Sequence, residues 1–179
     1  GVMTPDLGAV NASLAEEAAV WDLEVIGNTV YVAGTFTEVA DKYDAARHNH
    51  SYLAAFDAST GEWIDWWLPQ LNGAAYSLDT SATGALLVGG EFTQVNGQAR
   101  AGLVALDPNT GAIDNGFSAG IVRLWGDPTA YVKELLVDGS DLYVMGDFTH
   151  IARGGNNHRV WSSARLNASS GALDNTWLP

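Results

Sequence analysis

Two histidines flank one asparagine in His48-Asn49-His50. Alternate residues of an extended strand share a face, so both imidazoles could reach one metal ion. The remaining ligands are missing: the chain has no cysteine, and His150 and His158 lie far along it. The reading here is a solvated loop. Asp41 and Asp44 could offer oxygens to calcium, but the ligand spacing of a calcium-binding loop is absent. Ser59, Ser118 and Ser162 lack the Gly-x-Ser-x-Gly setting of a nucleophile elbow. Asp65, Asp114 and Asp174 each follow an apolar residue shortly after a glycine. Their recurrence assigns them to turns or strand ends rather than to a glycosidase pair. The expectation is a protein without catalytic residues, metal or cofactor.

Binding chemistry remains. The chain carries 21 acidic and 8 basic residues, a net charge of −13. A phosphate backbone is repelled by such a field, which excludes nucleic acid as a partner. Yet Arg47, Arg100, Arg153 and Arg159 all fall in three segments, residues 40–51, 96–101 and 152–159. Against an acidic background they form a candidate positive site for a carboxylate, such as that of an acidic sugar. The plain alternative is that each arginine pairs with a neighbouring acid. Among the aromatics, Trp21, Trp63, Trp66, Trp125 and Trp161 are out of step with the repeat described next. An exposed tryptophan can stack on the apolar face of a sugar ring. Trp161 therefore joins the four arginines as a candidate ligand-binding residue, the ligand being carbohydrate or protein.

These residues hang on a repeat. Gly34-Thr35-Phe36-Thr37-Glu38-Val39 recurs from Gly90 and again from Gly146, so that Phe36, Phe92 and Phe148 are evenly spaced. Downstream, Leu53-Ala54-Ala55-Phe56-Asp57-Ala58-Ser59-Thr60-Gly61 recurs from Leu103 and from Ser163. A ring follows each glycine at the sixth position: Trp67, Phe117 and Trp177. Each copy reads as four short strands. Val30-Tyr31-Val32, Leu86-Leu87-Val88 and Leu142-Tyr143-Val144 suit a second strand buried on both faces. The Asp-x-x-Thr-Gly segment, with Asn167 in the third copy, predicts an Asx-type turn closed by a left-handed glycine between strands three and four. Four strands in a repeat of this length mark a propeller blade. The fold class is all-β, a β-propeller fragment of about three four-stranded antiparallel blades at residues 20–73, 74–129 and 130–179. Residues 1–19 form an N-terminal segment read as the end of a preceding blade. Hydrophobic residues make up 47% of the chain, yet no apolar run reaches the roughly 20 residues of a membrane span.

The combination Gly-x-Phe-Thr-x-Val, Leu-x-Ala-Leu-Asp-x-x-Thr-Gly, then Asp and a ring resembles the delta-sixty-repeat group of bacterial β-propellers. Kelch and quinoprotein propellers are its relatives in shape. The resemblance covers about residues 20–179. It implies an extracellular or cell-surface location, and repetition unbroken by any polar constellation gives a non-catalytic binding or scaffold module of a larger protein. Three blades do not close a ring of 4–8, so further blades are expected. The alternative is a glycan-active or quinone-dependent propeller enzyme whose catalytic residues lie elsewhere. Quinoprotein repeats carry Trp four positions after the turn glycine. Ala55, Asp57 and Gly61 fit that pattern, but the fourth position after Gly61 is Asp65.

Overall fold

The computed structural model describes residues 9–11, 18–40, 47–125 and 129–177. Among them are seventeen strands and no helix. The protein is an all-β propeller fragment. Each repeat contributes a meander of three antiparallel strands. In repeat one these are Val20–Ile26, Thr29–Gly34 and Leu53–Asp57. In repeat two they are Ala75–Thr80, Leu86–Gly90 and Leu103–Leu106. In repeat three they are Tyr131–Asp138, Asp141–Asp147 and Ser163–Asn167. The first strands of successive repeats pack side by side and form the inner edge of the stack.

The expected fourth strand is reduced to one bridge per repeat: Phe56 with Trp63, Leu106 with Ile113, and Leu166 with Leu173. The chain leaves the sheet directly afterwards because a turn forms there. Asp114 Oδ1 accepts the Gly116 N–H at 2.8 Å, and Asp174 Oδ1 accepts the Thr176 N–H at 2.7 Å. In repeats one and two a backbone turn, Trp67 N–H to Ile64 O and Phe117 N–H to Asp114 O, carries Trp67 and Phe117 into the core. The bridges also correct the alignment. Trp63, Ile113 and Leu173 are equivalent, so Ile64, not Asp65, occupies the position of Asp114 and Asp174.

The segment between the second and third strands is not a plain loop but a two-stranded ribbon. Its strands are Glu38–Ala40 with Arg47–Asn49, Gln94–Val95 with Gln98–Ala99, and His150–Arg153 with Asn156–Arg159. A stretch of chain preceding each repeat adds to its ribbon. Val10 pairs with Val39, Leu71 with Val95, and Ile121 with Ile151. Asp41, Asp44 and most of the N-terminal segment, residues 1–8 and 12–17, lie outside the described residues.

Two cores lie between the sheets. One face of repeat two, including Leu86, Val88 and Leu106, packs with Tyr31, Leu53 and Trp67 of repeat one. Its other face, including Leu87 and Leu103, packs with Leu135, Leu142 and Val144 of repeat three. The continuous apolar runs of the second strands of repeats one and two follow from two-sided burial, whereas Met145 in repeat three is exposed. Phe36, Phe92 and Phe148 are all buried at equivalent positions. The glycine two residues before each has a steric cause. A Cβ on Gly34, Gly90 or Gly146 would run into the carbonyl of Ala19, Ala74 or Tyr131.

Side chains tie the inner strands together. Asp22 Oδ2 accepts the Leu78 N–H at 2.8 Å, and Ser77 Oγ accepts the Leu135 N–H at 3.0 Å. Thr80 donates to Glu24 and the Val137 N–H donates to Asp79. Both sets repeat in register, because Asp22 and Ser77 hold one position and Glu24 and Asp79 another.

The turn between the third strand and the bridge is as the residues predict. Asp57 Oδ1 accepts the N–H groups of Ser59 and Thr60, Asp107 those of Asn109 and Thr110, and Asn167 those of Ser169 and Ser170. Gly61, Gly111 and Gly171 close these turns at φ of 75°, 70° and 70°. A Cβ on Gly111 would also lie 3.2 Å from Pro69 Cδ. Gly111→Val should therefore lower stability by about 1 kcal/mol or more, measured as a shift in thermal melting.

The Ser59 hydroxyl and the two turn N–H groups bring the Asp57 carboxyl down to about 2. A depressed folded value adds stability above the unfolded value that is lost as pH falls through the folded one. Asp57→Asn keeps an acceptor, as Asn167 does in repeat three. The variant should fold normally at neutral pH and lose less stability than wild type as pH drops from the ordinary carboxylate range to about 2. Chemical denaturation across that range measures the difference.

Candidate functional site

The ribbons leave the sheets at one end, because each follows the C-terminal end of a second strand. Between the ribbons of repeats two and three lies a cleft of about 430 Å³. Its volume is within the range of small-ligand pockets. Arg100 and Arg153 line it together with Asn115, Asn156, Asn157 and Ser118. No Asp or Glu is among its described lining residues.

Packing holds these side chains. Arg100 donates to its neighbour's carbonyl, Ala99 O, at 2.8 Å and to Asn115 Oδ1 at 2.9 Å. Both acceptors are neutral, so the guanidinium charge is oriented but not cancelled. Arg153 ends one strand of its ribbon opposite Asn156. Its Nε is buried and has no hydrogen-bond partner among the described residues. A buried donor left unpaired costs on the order of 1–3 kcal/mol.

The other three candidates lie apart. Arg47 pairs with Glu38 across its own ribbon at 3.2 Å, the plain alternative for an arginine. Arg159 pairs in register with His150, three pairs along from Arg153 with Asn156. Side chains alternate between faces, so Arg159 and Arg153 project from opposite sides of the ribbon. The Arg159 guanidinium carbon sits 4.4 Å from the Trp161 ring centre and 5.4 Å from that of Trp125. Trp161 is 62% exposed and Trp125 54% exposed. The His150 ring lies 5.0 Å from that of Trp125. The five candidates thus divide into a cleft, an ion pair and a ring stack. Asn115 belongs to the cleft and carries no sequence signal, whereas Trp125 is one of the aromatics out of step with the repeat.

His48-Asn49-His50 departs from its expected setting. His48 stacks on Trp63 with ring centres 4.8 Å apart, and His50 is buried rather than solvated. Burial pushes the His50 imidazole below its ordinary value. No group of three potential metal ligands occurs among the described residues. The turn acids are held by their own turns. The hydroxyl and N–H of Thr176 keep the Asp174 carboxyl well below the usual carboxylate range, with Arg165 adding an ion pair. A carboxylate so engaged is poorly placed as a general acid.

Residues 82–117 match the family model described as "Domain of unknown function (DUF5122) beta-propeller". The matched stretch runs from the turn before the second strand of repeat two to Phe117. No curated protein matches the chain. At this level the chain carries the repeat of a β-propeller family, and no described helix is long and apolar enough to cross a membrane. Because Trp161 projects into solvent, Trp161→Ala should change stability by less than about 1 kcal/mol, the scale of an exposed cation–π contact. Urea denaturation followed by circular dichroism checks this.

Proposed function

We propose that the chain is a non-catalytic binding module of a β-propeller, and that its ligand is a carboxylate-bearing sugar held in the cleft between the second and third ribbons. The observation that carries this reading is the lining of that cleft. In a chain of net charge −13, it holds two arginines and no carboxylate. The asparagines and Ser118 supply donors and acceptors for hydroxyl groups. A guanidinium fork matches the geometry of a carboxylate.

The proposal includes an extracellular or cell-surface setting, which rests on the family resemblance and on the acidic composition. It also includes further blades beside the three. Leu23 is 50% exposed, whereas its equivalents Leu78 and Leu135, covered by the preceding repeat, are 5% and 4% exposed.

Isothermal titration with galacturonic acid and with galactose tests the ligand class. The acid should bind in preference to the neutral sugar and weaken with added salt, as a partly exposed charge contact does. Arg153→Ala should weaken binding about tenfold, the loss of roughly one charge-assisted hydrogen bond. Equal binding of both sugars, or no effect of Arg100→Ala and Arg153→Ala, would leave only a scaffold role.

A further inference from the structure

Each inner strand is interrupted at the same place. The ladder shifts between Val20 and Asp22, between Ala75 and Ser77, and between Val132 and Glu134. Such a bulge leaves one residue unpaired and re-aims its side chain. The three extra residues are Trp21, Tyr76 and Lys133. They sit where the inner strands pair with Gly34, Gly90 and Gly146, the end from which the ribbons leave.

The three bulges build one cluster across three repeats. The rings of Trp21 and Tyr76 meet edge to face at 6.0 Å, and those of Tyr76 and Tyr131 at 6.1 Å. The Lys133 ammonium lies 4.0 Å from the Trp21 ring centre and 4.9 Å from that of Tyr76. Trp21 is half exposed, and Lys133 is exposed. Burial and a hydrogen bond with Glu91 push the Tyr76 hydroxyl up, so it stays a phenol.

Cations without an ion pair gather at the same end, beside the Glu91 carboxylate that Tyr76 engages. Among the described cations, Arg47, Arg123 and Arg165 pair with carboxylates. Arg100, Lys133, Arg153 and Arg159 form no ion pair with a described carboxylate, and all four stand on the ribbons or the bulges of one end. Ring faces attract an ammonium but accept none of its three N–H groups in an ordinary hydrogen bond, so Lys133 keeps donors for an anion.

We propose that the three bulges form a second acidic-sugar site, in which Lys133 takes a carboxylate and the exposed part of Trp21 supports the sugar ring. The site rests on the acidic-sugar reading of the cleft and extends it: the ligand is a chain of several uronate units, one in the cleft and another at the bulges.

Titration calorimetry with galacturonic acid and with linear galacturonate oligomers separates the two sites. Wild type should bind the oligomers more tightly than the monomer. Lys133→Met and Trp21→Ala should each weaken oligomer binding about tenfold while leaving the cleft's affinity for the monomer unchanged. Lys133→Arg, which keeps the charge, should restore oligomer binding. Arg153→Ala should weaken both ligands. Oligomer binding untouched by Lys133→Met and Trp21→Ala, with Arg153→Ala still impaired, overturns the second site and leaves the cleft standing. Wild-type oligomers that bind no better than the monomer overturn it as well. Arg153→Ala binding both ligands like wild type removes the cleft reading instead.

Discussion

The inner strand of every blade is an edge strand. It pairs with the second strand on one side only, so the N–H groups on its other side have no ladder to join. The preceding blade supplies the acceptors from its side chains. Asp22 serves Leu78, Ser77 serves Leu135, and Asp79 serves Val137. The two bonds to aspartate contribute roughly 1.5–3 kcal/mol each, and the neutral one to Ser77 roughly 0.5–1.5 kcal/mol. They also set the register between blades, because a slip by one residue would turn the acceptors to the wrong face. Where no described blade precedes, the same need shows differently: the Leu23 N–H donates to Asp22 Oδ1 of its own repeat at 2.8 Å.

With the inner strands in register, the rest of each blade is constrained. The second strands of repeats one and two lie between two apolar layers, and in every repeat the motif phenylalanine is buried beside them. The glycine before that phenylalanine lets the chain pass a carbonyl at the foot of the inner strand. The bulge sits at the same foot. Close approach, bulge and ribbon therefore coincide at one end of the sheets, and the side chains free of packing duty collect there. The opposite end is occupied by the Asx turns, whose carboxylates are engaged with their own backbone. Such an arrangement puts the turns at one end and the cations without ion pairs at the other.

Periodicity made the architecture legible. Evenly spaced phenylalanines, the Asp-x-x-Thr-Gly turns and the apolar second strands all act through local geometry or through burial that every copy shares. Residues 82–117 carry enough of that pattern to match a propeller family model. The rudimentary fourth strand was not legible, because Asp114 and Asp174 bend the chain through hydrogen bonds whose partners are not apparent from residue type. Asp65 stands four residues after its turn glycine where Asp114 and Asp174 stand three after theirs, and the bridge between Phe56 and Trp63 shows that Ile64 takes their place.

The site divides along the same line. The sequence by itself determined that the chain is a repeated all-β module, strongly acidic, with arginines concentrated in the segments between the second and third strands. Those are properties of composition and period. Only the tertiary structure decided which cations lie together. Arg100 and Arg153 belong to different repeats and meet because adjacent ribbons flank one cleft. Arg159, close to Arg153 in sequence, is sent to the opposite face of its ribbon and onto Trp161 by strand alternation. Trp21, Tyr76 and Lys133 share no motif at all; they come together because a bulge repeats in each inner strand while the residue in the bulge is free to vary. A repeat dictates positions in space, and what it leaves unconstrained at each position becomes a site only when neighbouring copies are stacked.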